Sequence, residues 1–293
     1  MRNRPPRVSI GMPVFNGERF LEQSLRSLTA QTYGDFELVI CDNASTDRTG
    51  QICRDYGARD IRIRYFRNKT NIGGPRNFNR VFNLCRGEYH KWSTADDYWH
   101  IKMLEKCLDV LDRNPEAVLC YPKTTLIDEH NEPIGQYGGD LHLQDSSPSK
   151  RFSQLLDTIG LCNAHLGLIR REALSRTALI GDQYGSDIHL LAELTLYGRF
   201  FLIPEFLFFR RYHAGSSSWE RGNMQRQQDY YLPGRETYFG MHTWKKHIKL
   251  FTAVQRAPIT VTEKLRLFRY LGRHMRWERE ALGGELFEAL RRS

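Results

Sequence analysis

Apolar and polar positions alternate along the first 121 residues in two rhythms, one of period two and one of helical spacing. Val8, Ile10 and Met12 alternate with Ser9 and Gly11 and stop at Pro13, which predicts a first strand. Leu21, Leu25 and Leu28 then share one helical face. Phe36–Cys41 predicts a second strand, ending in the turn and cap residues Asp42-Asn43-Ala44-Ser45-Thr46-Asp47, and a helix follows through Ile52, Cys53 and Tyr56. Ile61, Ile63 and Tyr65 alternate with arginines as a third strand. The Gly-rich loop Asn71–Asn77 opens a helix whose Phe78, Val81, Phe82 and Cys85 recur at helical spacing. A strand over 88–93 runs out into Asp96 and Asp97. After it come a helix over about 101–113, a strand Ala117–Tyr121 and a hairpin turn near His130–Pro133.

The second half is less regular. Residues 135–150 predict a surface loop rich in Gly, Ser, Pro and Asp, followed by a short helix near 151–160 and a strand over His165–Arg170. The loop Gly181–Asp187 enters an apolar helix, Ile188–Tyr197. Strands over Phe200–Ile203 and Phe206–Arg210 lead to a polar loop, Arg211–Ser218, and the remainder reads as helix broken at Pro233-Gly234 and Pro258.

Alternating strands and helices predict an α/β fold with an open, doubly wound, mostly parallel sheet. Such sheets bind ligands at the C-terminal ends of their strands. Asn16, Asp42, the Asn71–Asn77 loop and the Asp96-Asp97 turn all fall there. GxGxxG and P-loop patterns are missing, which argues against a dinucleotide dehydrogenase or a P-loop kinase. Two adjacent carboxylates after a buried strand repel each other and lose hydration. A hard divalent cation that also takes substrate phosphate oxygens relieves this, whereas a helix N-cap explains the same residues without a ligand.

Composition adds limits. The 293 residues are 40% hydrophobic and 12% aromatic, enough for a sizeable core, and no run of 18 apolar residues occurs. The N-terminal stretch has no apolar leader core, and the six cysteines form no CxxC, which predicts buried reduced thiols and a cytoplasmic protein. The net charge is +9, unevenly placed: Trp219–Ser293 holds 15 Lys+Arg against 8 Asp+Glu, and the remaining residues 28 against 26. A near-neutral body argues against a nucleic-acid groove and directs any anionic partner to the C-terminal segment.

The run Pro13-Val14-Phe15-Asn16-Gly17-Glu18, then Asp42–Asp47, then Asn71-x-Gly73-x-x-Arg76-Asn77, then Ser93-Thr94-Ala95-Asp96-Asp97, resembles the family 2 glycosyltransferases of GT-A fold in order and spacing over roughly residues 7–218. The resemblance implies an inverting hexosyltransferase of the kind used in polysaccharide biosynthesis. The donor would be a nucleotide-diphospho-sugar, with a UDP-sugar favoured over a GDP- or dTDP-sugar. The acceptor would be a saccharide or a lipid-linked saccharide, and Mg²⁺ or Mn²⁺ would sit at the acidic (DXD) turn. It divides the chain into a catalytic domain over 1–218, with a nucleotide-binding half (1–121) and an acceptor half (122–218), and a basic, mainly helical extension over 219–293. The family often has an aspartate where Thr94 stands, which leaves Asp96-Asp97 as the surviving pair.

Carried over residue by residue, Asp42 would accept a hydrogen bond from the nucleobase in a pocket lined by Pro13, Val14, Asn16 and Glu18. Asn71, Gly73 and Arg76 would approach the base or phosphates. Asp96 would contact the ribose or a metal-bound water, Asp97 would ligate the ion, His213 would complete its shell, and Arg211 would pair with the diphosphate. Each has a plainer reading: Asp42 as an N-cap, Arg76 as an exposed helix residue, Arg211 and His213 as a solvated loop. Asp187 is the candidate catalytic base, with a helix cap as the alternative and Asp182 as the second candidate.

Within Glu263–Leu282, Leu267, Phe268, Leu271 and Met275 gather on one helical face and Arg266, Arg269, Arg273 and Arg276 on another. This fits peripheral contact with the inner face of a membrane, or a helix packed on the catalytic domain or on a second subunit. The apolar stripe has the usual width for packing. Two rival activities fit less well. A sugar-1-phosphate nucleotidyltransferase needs a basic Gly-rich loop after the first strand. A nucleotide-sugar binding module without turnover is suggested only by Thr94.

Overall fold

The computed structural model describes residues 4–214, 216, 229–231, 233–234 and 241–292. Gly215, Ser217, Ser218 and most of the start of the basic extension lie outside the described residues.

Four parallel strands form one side of the sheet: β1 (Val8–Val14), β2 (Phe36–Asp42), β3 (Ile63–Arg67) and β4 (Tyr89–Trp92). Helices α1 (Glu18–Thr29), α2 (Thr49–Arg59) and α3 (Gly74–Leu84) connect them. Past these lie the short β5 (Tyr98–Trp99), α4 (Met103–Arg113), β6 (Ala117–Ile127), β7 (Pro133–Gln136), α5 (Pro148–Thr158), β8 (Leu168–Arg170), α6 (Arg171–Ser175), α7 (Ser186–Thr195) and β9 (Arg199–Arg211). The strand order is β3-β2-β1-β4-β8-β6-β9-β5, with β7 on β6. β8 runs antiparallel to both β4 and β6, β5 to β9 and β7 to β6, so the sheet is mostly parallel but mixed. Strands β1 and β2 are buried on both faces: Val8, Ile10, Leu38 and Ile40 are fully buried, and between them Ser9 donates to the buried Glu37 at 2.7 Å.

Several elements differ from the pattern-based expectation. The third strand begins at Ile63, and Ile61 is 94% exposed in the turn before it. The two strands expected over 200–210 are one, β9. Ile203 pairs with Pro122 and Phe206 with Lys123, so Pro204 and Glu205 bulge out and the pairing resumes beyond them. β6 extends to Ile127, and the hairpin to β7 turns through Asn131 at φ 75. The 135–150 segment is docked, not a free flap. Leu141 and Leu143 are buried, and Leu143 exchanges backbone hydrogen bonds of 3.1 Å with Phe200. Asn163–Leu166 is a single 3₁₀ turn preceding β8.

All six cysteines are free and buried. The chain closes with α8 (His242–Arg256), α9 (Val261–Trp277) and α10 (Arg279–Arg292). The apolar stripe of α9 is spent on packing. Leu267 and Leu271 are buried, Phe268 stacks on Phe251 of α8, and Tyr270 meets Phe152 of α5 and donates to Asp157 at 2.6 Å. Among the described residues no helix is long and apolar enough to cross a membrane.

Candidate active site

The loops after β1 and β2 are laced together. The Asn16 backbone, at φ 48, donates to Ser45 Oγ (2.9 Å), and Thr46 N donates to Asn16 Oδ1 (2.8 Å). Gly17 N reaches Thr49 Oγ1 (2.8 Å), and Glu18 accepts from Arg48 N (2.9 Å). Val14, expected in the nucleotide pocket, turns its side chain into the core, and its carbonyl accepts from Asn43 N (2.8 Å). Pro13 is half-buried in β1 beside Cys41.

Asp42 closes β2 fully buried. Its carboxylate accepts from Ser45 N (2.8 Å), Tyr65 Oη (2.7 Å) and Arg67 Nη1 (2.6 Å). The expected nucleobase acceptor is therefore already occupied. Arg67 is the partner a base could displace, because its side chain is 44% exposed.

The Gly-rich loop rests on a network of asparagines. Asn43 donates to Asn71 Oδ1 (2.7 Å) and accepts from Asn68 (2.7 Å) and Ile72 N (3.0 Å). Asn68 also donates to Asn77 (3.0 Å), and Asn77 donates to the Cys41 carbonyl (2.7 Å). Asn71 shapes the loop through Gly73 N (2.9 Å), so its side-chain oxygen is committed to structure. Gly73 has φ +88, where a side chain would be strained, and a Cβ there would sit 2.7 Å from the Tyr231 carbonyl. Arg76 is half-exposed and pairs with Asp182 at 3.3 Å.

The acidic turn hangs between β4 and β5. Ser24 Oγ donates to the Thr94 carbonyl (2.9 Å), Trp99 Nε1 to Ser93 Oγ (3.1 Å), and Tyr98 and Trp99 stack on Phe209 and Phe208 of β9. Each stack adds about 0.5–1.5 kcal/mol beyond burial, which fixes the turn against a strand far off in sequence. Asp97 is 4% exposed, with its oxygens accepting from Arg211 N (2.8 Å) and Thr94 Oγ1 (2.6 Å). Burial, then the charge of Asp96, pushes its carboxyl up to about 7. Thr94 thus supplies a donor where a third aspartate would add repulsion.

Asp96 is the more accessible carboxylate of the pair. Its Oδ2 lies 3.1 Å from His213 Nε2, and the His213 ring rests edge-on against Phe20. Arg211, expected on the diphosphate, is a buried strut instead. Its guanidinium donates to the carbonyls of Asp96 and Asp128 and to the side-chain oxygens of Gln23 and Asn131, and it is 2% exposed. Its neighbour Arg210, which the sequence did not single out, lowers the Asp97 pKa and donates to Asn163 Oδ1.

Among the described residues no three His, Cys, Asp or Glu side chains cluster tightly enough to hold an ion alone. Asp96 and His213 nevertheless fit a divalent ion that draws its remaining ligands from substrate. Adjacent ligands at bonds of about 2.1 Å lie about 3 Å apart, close to the separation observed here. An ion there would also offset the charge of Asp96, which together with burial holds the Asp97 carboxyl up at about 7.

Asp187 lies in the first turn of α7, whose N-cap is Gly185 at φ 73, so Asp187 is not the cap. Among the described residues its Oδ1 accepts from its neighbour Ile188 N alone (3.0 Å). Asp182, the second candidate base, is the carboxylate held by Arg76.

The profile of Glycosyl transferase family 2 matches residues 9–177, more than half of the chain, and the protein belongs to that family. It is 30% identical over 134 residues, 45% of the chain, to the uncharacterized glycosyltransferase MJ1057 of Methanocaldococcus jannaschii, and 25% identical over 230 residues, 78% of the chain, to chondroitin synthase of Escherichia coli. These matches span 46% and 32% of the relatives' own lengths. Among solved structures, S. aureus TarS with UDP-GlcNAc superposes with TM-score 0.69 at 17% identity, over 92% of this chain and 72% of that one. The mannosyltransferase PcManGT of Pyrobaculum calidifontis, with GDP-Man and Mn²⁺, superposes with TM-score 0.53 at 15% identity, over 97% and 85%. The fold is the GT-A fold, with a helical C-terminal segment.

Proposed function

We propose that the protein transfers a sugar from a nucleotide-diphosphate donor to a hydroxyl acceptor, with inversion and with the help of Mg²⁺ or Mn²⁺. The observation that carries this reading is the meeting of Asp96 and His213, 117 residues apart in sequence, beside the C-terminal edge of the parallel strands. Their donor set suits a hard ion that also takes phosphate oxygens. When bound, such an ion would offset the negative charge that grows on the leaving group.

The chain's own residues have separate tasks. Asp96 and His213 hold the ion, and Asp97, fixed by Thr94 and the Arg211 amide, adds the second negative charge. Asp42 receives the nucleobase once Arg67 swings off it. Asp187 accepts the proton of the acceptor hydroxyl. That oxygen bonds to the anomeric carbon from the face opposite the diphosphate, and the bond to the leaving phosphate oxygen breaks in the same step. Asp187 is favoured over Asp182 because Asp182 already faces a guanidinium. Thr94 gives no reason to prefer a binding module, since its hydroxyl supports Asp97. The neighbours carrying UDP-GlcNAc and GDP-Man support a nucleotide-sugar donor, with a UDP-sugar our first choice.

A thermal-shift panel of UDP-, GDP- and dTDP-sugars, with and without Mn²⁺, tests the reading. One donor should raise the melting temperature only with the ion, since a ligand of the native state alone stabilises it. NMR of the product should show the anomeric configuration opposite to the donor's. No stabilisation by any nucleotide sugar, or retention of configuration, overturns the proposal.

A further inference from the structure

Two groups near Asp187 have no task in that reaction. His165 belongs to the 3₁₀ turn Asn163–Leu166, which packs among β4, β6 and α7. The turn is tied at both ends: the Leu166 carbonyl accepts from the buried Lys91 Nζ at 2.9 Å, and Asn163 Oδ1 accepts from Arg210. His165 Nδ1 faces the Cys162 carbonyl. A carbonyl only accepts, so Nδ1 carries the proton and Nε2 of the neutral ring presents a lone pair. Burial keeps the ring neutral against the pull of Asp187. Among the described residues nothing hydrogen-bonds to Nε2.

Tyr230 comes from the other end of the chain. Its ring lies on the bare backbone of Gly74, where a Cβ would come within 2.8 Å of its hydroxyl oxygen and closer still to the ring. One edge of the ring is covered by the loop, and the residue as a whole stays 39% exposed. Burial, then the charges of Asp187 and Asp96, holds the phenol proton more tightly than usual.

We propose that Tyr230 and His165 form the subsite for the acceptor and that the acceptor is therefore a sugar ring: the Tyr230 face carries the C–H face of a pyranose, and His165 Nε2 accepts a hydrogen bond from one of its hydroxyls. An aromatic face with a lone polar acceptor nearby matches the two-sided surface of a pyranose, apolar on its face and polar at its rim. The inference rests on the glycosyltransfer reading, in which Asp187 marks the place of the reacting hydroxyl. It also moves residues 229–231 from a basic extension into the active site.

Saturation-transfer NMR on the full chain, with UDP and Mn²⁺ present, reads binding of a panel of methyl glycosides without turnover. The thermal shift from UDP-GlcNAc with Mn²⁺ reads the donor side separately. In Tyr230→Ala, glycoside affinity should fall about tenfold or more, while Tyr230→Phe keeps it and the donor shift is unchanged in both. His165→Ala should weaken the bound glycoside but leave its affinity for one particular deoxy analogue untouched. Glycoside binding that survives Tyr230→Ala, a donor shift lost in step with it, or no glycoside binding by the unsubstituted chain overturns the proposal. Absence of a donor shift from every nucleotide sugar of the panel, with glycoside binding intact, breaks the nucleotide-sugar reading and keeps the saccharide subsite, so the two failures are told apart.

Discussion

The two sides of the candidate site are wired differently. On the β1–β4 side nearly every polar group already has a partner within the chain: Asp42 has Tyr65 and Arg67, Asn71 has Asn43, and Asn16 has Ser45 and Thr46. On the side of α7 and the 3₁₀ turn, His165 Nε2 has none among the described residues. A ligand on the first side must exchange one hydrogen bond for another, a net gain of about 1 kcal/mol each. A ligand on the second side fills vacancies, so its polar contacts discriminate more sharply against analogues lacking them.

The largest expected effect falls on the open side. Asp187→Asn should lower transfer by about 10²–10⁴-fold, the usual worth of a general base, and leave the donor-induced thermal shift in place. Steady-state kinetics beside the thermal shift checks both halves, and a variant with near-normal turnover would pass the role to Asp182.

Next comes the strut beneath the acidic turn. Arg211→Met strands the carbonyls of Asp96 and Asp128 and should cost about 2–4 kcal/mol of stability, read by urea unfolding. Donor affinity per folded molecule should change little. A large loss of affinity at normal stability would return Arg211 to the diphosphate and remove the contrast between the two sides.

A smaller effect tests the exchange of partners itself. Arg67→Ala removes one of the two donors on Asp42 Oδ2, and donor affinity should rise by about two- to fivefold, the worth of one net hydrogen bond. Calorimetric titration decides it, and weaker binding would make Arg67 a ligand of the donor. The smallest effect is a slope. Burial, then Lys249, holds His189 down at about 4, so the folded chain refuses a proton that the unfolded chain takes up near pH 6.5. Stability from this group is full above pH 6.5 and falls as the pH drops toward 4, by less than about 1.4 kcal/mol per pH unit. His189→Gln should flatten that part of the stability–pH curve.

The closed side was legible in the sequence because its elements are local. Val8, Ile10 and Met12, the Leu21–Leu28 stripe and the turn residues after Asp42 each announce themselves within a few positions. Even there, periodicity could not separate Ile61 from Ile63, since both alternate with arginine and only pairing with Leu38 selects the second. The asparagine network escaped because Asn43 and Asn68 look like ordinary loop residues until the fold brings them together. The open side depends on contacts across long separations. Pro204 reads as a strand break, and only the partner β6 shows that β9 continues through a bulge. Tyr230 sits in a stretch whose composition speaks of charge, and nothing in its spacing points to Gly74, more than 150 residues earlier.

The seat that Gly73 and Gly74 provide for Tyr230 and Tyr231 has a consequence for engineering. The loop 71–77 and the segment 229–231 meet backbone to ring, with no side chain between them to absorb a mismatch. They form one cassette split across the chain. A chimera that grafts a new C-terminal segment onto this body must carry its own version of the glycine loop, and a graft of either piece alone will meet a steric clash or leave a gap.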